Sequence, residues 1–369
     1  MRVLHLTHTD LRFDNRILKE LKSISTLEGT KILGIGVLRD FDFGPRHNEL
    51  GHYSIRNLRI FSVSMRKARV LKFILFFIEY FVTTVPLCLK YKPDIIHCHD
   101  TFVLPVGTLA SRLLGAKLIY DAHELESNKY GQGVVLGKIT LLIEKVCWGR
   151  VDKLITVSNG IKSWYIENIG YKEAQVIFNS PYNLQNKNGI EHYFNVKFGI
   201  PLSAKCFIFV GALEGGRRIE EILHIFSELD ESYQVVFLGF GSLTDYIRKF
   251  SKAYSNIHYH EPVSHEQVIN LIGGCYAGFC LIENVSLSDY LSMPNKFFEY
   301  INAKVPPIVF DFPDLANFVR AHNFGYVFNE KIQLKEQIES ITKERQEGIS
   351  LTFSWDVEED KLLKLYKDL

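Results

Sequence analysis

Cys206-Phe207-Ile208-Phe209-Val210-Gly211-Ala212-Leu213-Glu214-Gly215-Gly216-Arg217-Arg218 runs from an apolar segment into a glycine-rich loop that ends in two arginines. Five apolar residues make a buried strand, a glycine-containing loop breaks it, and the periodic apolar run at 219–229 predicts a helix. The unit then repeats. Residues 234–238 predict a strand that ends in Gly239-Phe240-Gly241, and further strands are predicted at 256–259, 277–282 and 307–310. The first half reads the same way, with strands at 3–7, 31–38, 93–99, 117–120 and 153–157. Helices are predicted at 16–25, around 70–91 and at 101–114, the last closed by Gly115. Residues 176–179 end this half, and the polar stretch 183–191 reads as a linker. Alternating strands and helices with short connections imply parallel sheets flanked by helices. The predicted architecture is α/β, with two doubly wound, Rossmann-like domains facing each other across a cleft. The expected divisions are 1–182, 183–350 and a final segment 351–369.

The chain has 369 residues, 47% hydrophobic and 23% charged, with a net charge of +1. That length needs more than one core, and that charge argues against nucleic-acid binding through bulk electrostatics. Six cysteines without paired spacing read as buried thiols in a reducing compartment. With no secretory signal read at the start, the expected location is cytoplasmic. The greasy stretch Phe73-Ile74-Leu75-Phe76-Phe77-Ile78, running on to Leu89, falls just short of a membrane span. Arg56, Arg59, Arg66, Lys67, Arg69 and Lys72 precede it. Two readings stay open: a buried helix of the first domain, or a helix lying in the membrane interface, peripheral on the inner face of the plasma membrane.

In doubly wound sheets ligands bind beyond the carboxyl ends of the strands, and the candidate residues follow strands. Gly211 ends one, and Gly215-Gly216-Arg217-Arg218 opens a helix, where glycines admit a phosphate and an arginine can fork onto it. Gly239 and Gly241 form a second such loop, without the third glycine of a dinucleotide fingerprint. Pro294-Asn295-Lys296-Phe297-Phe298-Glu299-Tyr300 opens a helix with Lys296 and Glu299 on one face. A cation, unpaired helix-start N–H groups and a carboxylate together suit a sugar nucleotide. The alternative is a solvated helix start with a surface salt bridge. In the first half His123, in Asp121-Ala122-His123-Glu124, would point into the cleft as a neutral imidazole able to bond a sugar hydroxyl or leaving phosphate. His97 and His99 share a strand face, but no third group with metal spacing accompanies them, so no metal site is expected. Asp40-Phe41-Asp42 reads as a solvated turn.

These motifs, with Pro93-Asp94-Ile95-Ile96-His97, Val157-Ser158 and Phe353-Ser354-Trp355 before a final helix, make the chain resemble a family 4 glycosyltransferase of the GT-B fold, of the bacterial surface-polysaccharide type. The resemblance implies transfer of a hexosyl or N-acetylhexosaminyl group from a nucleoside-diphosphate sugar, UDP- ahead of GDP-. It implies retention of anomeric configuration, no metal and no cofactor. The expected partners are that donor and a saccharide or lipid-linked acceptor, not nucleic acid. By the resemblance Arg217 and Lys296 bind the diphosphate, with Arg218 as a substitute for Arg217. Glu299 holds the ribose, Asn295 joins the same helix start, His123 meets the transferred sugar, and Gly211 allows close approach. The final helix would cross back onto the first domain. Leu291 stands where many relatives have a second glutamate, with Glu283 or Asp289 as replacements, and Ala212 stands in place of an arginine. A non-catalytic nucleotide-sugar-binding protein and a GT-B-like 2-epimerase are the alternatives.

Overall fold

The computed structural model describes residues 1–38, 47–64, 69–182, 192–341 and 353–369. The Asp40-Phe41-Asp42 turn and the linker at 183–191 lie outside the described residues. The chain divides into two compact units, Met1–Ile177 with Glu359–Leu369, and Phe178–Glu358.

In the first unit the strands are β1 (Arg2–Leu6), β2 (Lys31–Val37), β3 (His47–Leu50), β4 (Tyr53–Leu58), β5 (Ile95–His99), β6 (Lys117–Ala122), β7 (Lys153–Thr156) and β8 (Ala174–Val176). They form one sheet in the order β3-β4-β2-β1-β5-β6-β7-β8, parallel except for the β3–β4 pair. The helices are α1 (Asn15–Ile24), α2 (Arg69–Tyr91), α3 (Leu104–Leu114), α4 (Val134–Trp148) and α5 (Asn159–Asn168). Strand order reverses between β1 and β5, the place where doubly wound sheets open a ligand crevice. β5 is buried along its whole length, as a central parallel strand covered on both faces must be.

The second unit repeats the scheme. Its strands are β9 (Lys205–Ala212), β10 (Tyr233–Phe240), β11 (Ile257–His260), β12 (Ala277–Cys280), β13 (Pro307–Phe310) and β14 (Tyr326–Phe328), all parallel, in the order β11-β10-β9-β12-β13-β14. Around them lie α6 (Tyr193–Phe198), α7 (Ile219–Glu228), α8 (Thr244–Ala253), α9 (His265–Ile272), α10 (Leu287–Tyr290), α11 (Asn295–Asn302), α12 (Pro313–His322) and α13 (Leu334–Glu339). The last helix, α14 (Trp355–Lys367), gives most of its length to the first unit. Two phenylalanine-rich clusters, one on each face of the sheet, make the core.

The expected α/β architecture is present in both units. Two details differ. The helix expected from residue 101 starts at Leu104, because Asp100 takes a left-handed turn (φ 66°) and the Thr101 hydroxyl is committed to Tyr120 and Glu144. Arg56 and Arg59 belong to β4 and its exit, while Arg66 and Lys67 of the same basic run lie outside the described residues.

Candidate functional site

In the second unit, strand order reverses between β9 and β12. Only Ala277 and Gly278 of β12 register with β9, opposite Phe207 and Ile208. Beyond them the Tyr300 hydroxyl enters, accepting from the Val210 N–H at 3.0 Å and reaching the Phe279 carbonyl at 3.2 Å. Gly278 makes room for that ring, since a Cβ there would sit 2.6 Å from it. Tyr300 thereby pins α11 across the strand ends and aims the helix start at the crevice.

The first turn of α11 carries Lys296 and Glu299, both buried, so the solvated-surface alternative does not hold. No side chain caps this helix start, which leaves its positive end available to an anion. The Lys296 Nζ lies 3.8 Å from the centre of the Phe209 ring and has no hydrogen-bond partner among the described residues. Burial lowers its pKa to about 8, and the Arg217 charge pushes the same way against Cys280 and Glu299. Arg217 is thus close enough to Lys296 for the two cations to repel each other. Arg218 is differently employed. It caps α7 at φ 57°, pairs with Glu221 at 2.8 Å and Glu283 at 3.5 Å, and stacks over Phe310. Asn295 opens α11, and Pro294 precedes it as the N-cap.

The two glycine loops lie side by side at the ends of β9 and β10. Gly211 faces Gly239 across the pair. A Cβ on Gly239 would lie 1.9 Å from the Gly211 carbonyl oxygen, so only glycine fits. Gly241 lies under the Leu213 carbonyl, and Glu214 ties the loops together by accepting from the Ser242 N–H at 2.9 Å. Leu291 is buried at the end of α10. Asp289 is held by Ser286 in the cap of that helix, and Glu283 is held by Arg218.

The first unit builds a polar cluster on one face of its sheet. Period-two alternation puts His97 and His99 on that face, and strand register adds His5 beside His97 and Asp121 beside His99. Asp14 caps α1, and the next turns present Arg16 and Glu20 to the same cluster. Arg16 forks onto Asp121 at 3.1–3.3 Å, donates to the Ile177 carbonyl and pairs with Glu20 at 3.2 Å. Tyr366 of α14 closes the group, 2.7 Å from His97 Nδ1 and 3.2 Å from His5 Nε2.

A continuous hydrogen-bonded run crosses this cluster. His5 Nδ1 meets His99 Nε2 at 2.9 Å, and His99 Nδ1 meets His123 Nε2 at 3.1 Å. Asp121 accepts from His123 Nε2 at 3.0 Å. Burial lowers the pKa of His5, His99 and His97, the last to about 3, so these rings are neutral. His123 goes the other way. Burial opposes its charge, but Asp100 and Asp121 outweigh burial and raise its pKa to about 10. The expectation of a neutral imidazole is therefore corrected: His123 is an imidazolium flanked by two carboxylates. Its Nδ1 faces Asp100 at 3.9 Å, too far for a hydrogen bond, and remains able to donate to a ligand.

The structure also supplies what His97 and His99 lacked in sequence. His5, Glu20, His97 and His99 could together offer four ligand atoms to a metal, and His99, Asp121 and His123 could offer three. An ion in the first group would displace the His5–His99 hydrogen bond and compete with Arg16 for Glu20. Burial and Asp121 raise Glu20 to about 8, so its carboxyl carries a proton at neutral pH.

Two sequence-family models match the chain. Glycosyltransferase Family 4 covers residues 41–180, and Glycosyl transferases group 1 covers 194–350. The chain belongs to the glycosyltransferases of the GT-B fold. No curated protein matches it by sequence. Among solved structures it is similar to sucrose-phosphate synthase from Thermosynechococcus elongatus, with TM-score 0.79 and 13% identity over 100% of this chain and 98% of that one. It is also similar to HepE of Anabaena in complex with UDP (TM-score 0.70, 11% identity, all of both chains). A third is the lipopolysaccharide outer core galactosyltransferase WaaB (TM-score 0.65, 14% identity, all of both chains).

Within this glycosyltransferase, sequence reading missed His5, Glu20, Asp100 and Tyr366 as members of the His123 cluster. The available signal was Asp14-Asn15-Arg16 with Glu20, a capping aspartate followed by an arginine and a glutamate four apart on the helix face that carries Ile17, Leu21 and Ile24.

Proposed function

We propose that this glycosyltransferase moves a hexosyl or N-acetylhexosaminyl group from a nucleoside-diphosphate sugar to a lipid-linked saccharide. In this reading it retains anomeric configuration and needs no metal. The carrying observation is Lys296, a buried ammonium without a hydrogen-bond partner at an uncapped helix start, with a second cation, Arg217, nearby. A diphosphate completes such a site.

The chemistry follows from charge. When the bond between the anomeric carbon and the diphosphate breaks, negative charge collects on the departing oxygens. Lys296, Arg217 and the α11 N–H groups are fixed in place to meet it, as a metal would elsewhere. Glu299, one turn on, accepts from the ribose hydroxyls. His123, held as a cation, donates from Nδ1 to the sugar or to the leaving phosphate. A cation there also favours developing negative charge, which a neutral ring would do less well.

The membrane side of the proposal rests on α2. Its stretch Ile74–Tyr91 is long and apolar enough to cross a bilayer, yet only 17% of it is buried. That exposure favours the interfacial reading over the buried one, and in this proposal α2 lies in the interface of the inner leaflet, where surface-polysaccharide assembly in the cytoplasm would need it. Turnover with a panel of UDP- and GDP-sugars in EDTA tests the chemistry. We expect full activity with UDP-sugars ahead of GDP-sugars. A strict requirement for Mg²⁺ or Mn²⁺ would contradict the charge argument.

A further inference from the structure

At the carboxyl ends of β1 and β5, between α2 and α4, lies a cavity of about 450 Å³. Phe77 and Ile78 of α2, Leu136 and Ile143 of α4, and Phe102 make its walls. Its polar lining residues are His8, Thr101, Glu126, Gln132 and Thr140, and of these His8 follows β1 and Thr101 follows β5. His8 packs against Phe102 with ring centres 5.5 Å apart, three residues beyond His5, whose ring begins the hydrogen-bonded run through His99 to the candidate sugar-contacting His123.

The outer faces of the two bordering helices are also apolar. On α2, Leu71, Ile74, Ile78 and Val82 recur at helical spacing and are each about half exposed, with Ile74 and Ile78 also lining the mouth of the cavity. On α4, Val135, Ile139, Leu142 and Val146 do the same, from 46% to 74% exposed. Lys138 and Lys145 are exposed among them, and the acid of that helix, Glu144, is turned inward onto Thr101, Tyr120 and Tyr165. An apolar stripe interleaved with lysines matches an anionic lipid surface in both hydrophobicity and charge. A soluble saccharide would use neither the stripe nor an apolar-walled cavity.

We propose that the cavity between α2 and α4 holds the hydrocarbon chain of a lipid-linked acceptor next to its head group, while the outer faces of both helices sit in the bilayer. This rests on the transferase reading and assigns α4 and the cavity a role that reading does not. The chain enters between the helices, and the phosphate-bearing end reaches the polar floor by His8, beside His123.

Calorimetric titration of the full chain with farnesyl phosphate, inorganic phosphate and UDP tests it. Farnesyl phosphate should bind and inorganic phosphate should not. Ile143→Trp fills the cavity and should weaken farnesyl phosphate by about tenfold or more, leaving UDP unchanged. Ile78→Trp, at the half-exposed mouth, should act the same way without threatening the fold. Ile139→Glu with Val146→Glu alters only exposed positions. It should abolish co-sedimentation with phosphatidylglycerol/phosphatidylcholine vesicles while sparing farnesyl phosphate in solution. Farnesyl phosphate that fails to bind, or binds both tryptophan variants as tightly as wild type, overturns the assignment. So does vesicle binding that survives both glutamates. Loss of UDP binding alone would strike the transferase reading and leave the cavity assignment standing.

Discussion

Lys296 carries a charge that the second unit would be more stable without. Burial brings its pKa from 10.5 to about 8, so keeping it protonated below pH 8 costs the fold about 3 kcal/mol. The sign follows from linkage. The unfolded chain binds the extra proton between pH 8 and 10.5, so stability rises with pH across that window. Lys296→Met should therefore raise the melting temperature at pH 7 and give little advantage above pH 10.5. The same variant should lose turnover by about 2.7–4 kcal/mol in barrier, the usual worth of a preplaced donor to a developing anion. In the wild type, kcat/KM for the donor should fall as pH rises through about 8. A variant that is neither stabilised nor inactivated would remove Lys296 from the account. Lys296 and Glu299 were legible in sequence because one helical turn brings them together. Arg16 and Asp121 were not, because 105 residues separate them and they meet only once β1, which leads into α1, and β6 have both paired with β5.

At the scale of elements, α11 is placed by the Tyr300–Gly278 contact. Gly278→Ala would drive a methyl into the Tyr300 ring, with expected destabilisation of about 1–3 kcal/mol and weakened donor binding. Tyr300→Phe keeps the ring and loses only the hydroxyl, so about 1 kcal/mol is expected. Urea denaturation separates the two, and an equal cost for both would mean that the ring does not set the helix. Central strands such as β5 and β9 were legible as continuous apolar runs between turn signals. β4 was not, because Tyr53-Ser54-Ile55-Arg56-Asn57-Leu58 carries an exposed arginine and resembles a basic connection. α4 escaped because its usual pattern is inverted: Val135, Ile139, Leu142 and Val146 are exposed while Gly137, Thr140 and Glu144 are buried, so no inward apolar stripe announces the helix.

At the scale of the molecule, the chain's last residues complete its first unit. Tyr366 bonds His97 and His5, and Leu362 and Leu365 are buried with it. Removing residues 359–369 would leave three buried histidines beside an open face. The first unit should then melt at a lower temperature, while the second still binds UDP. Calorimetric scans with and without UDP read the two units separately, and an unchanged scan would contradict the division. The two doubly wound sheets were legible as a repeated strand–helix rhythm. The membership of α14 in the first unit was expected from the resemblance, through Phe353-Ser354-Trp355 and the helix after it, and not from any local periodicity.

Calorimetric titration of UDP into wild type and Lys296→Ala is the most direct test. UDP should bind in EDTA without metal and through its diphosphate, so that uridine alone binds far more weakly. Its affinity should fall about a hundredfold in Lys296→Ala with the fold intact. Equal affinity in the two proteins would contradict the proposed role of Lys296.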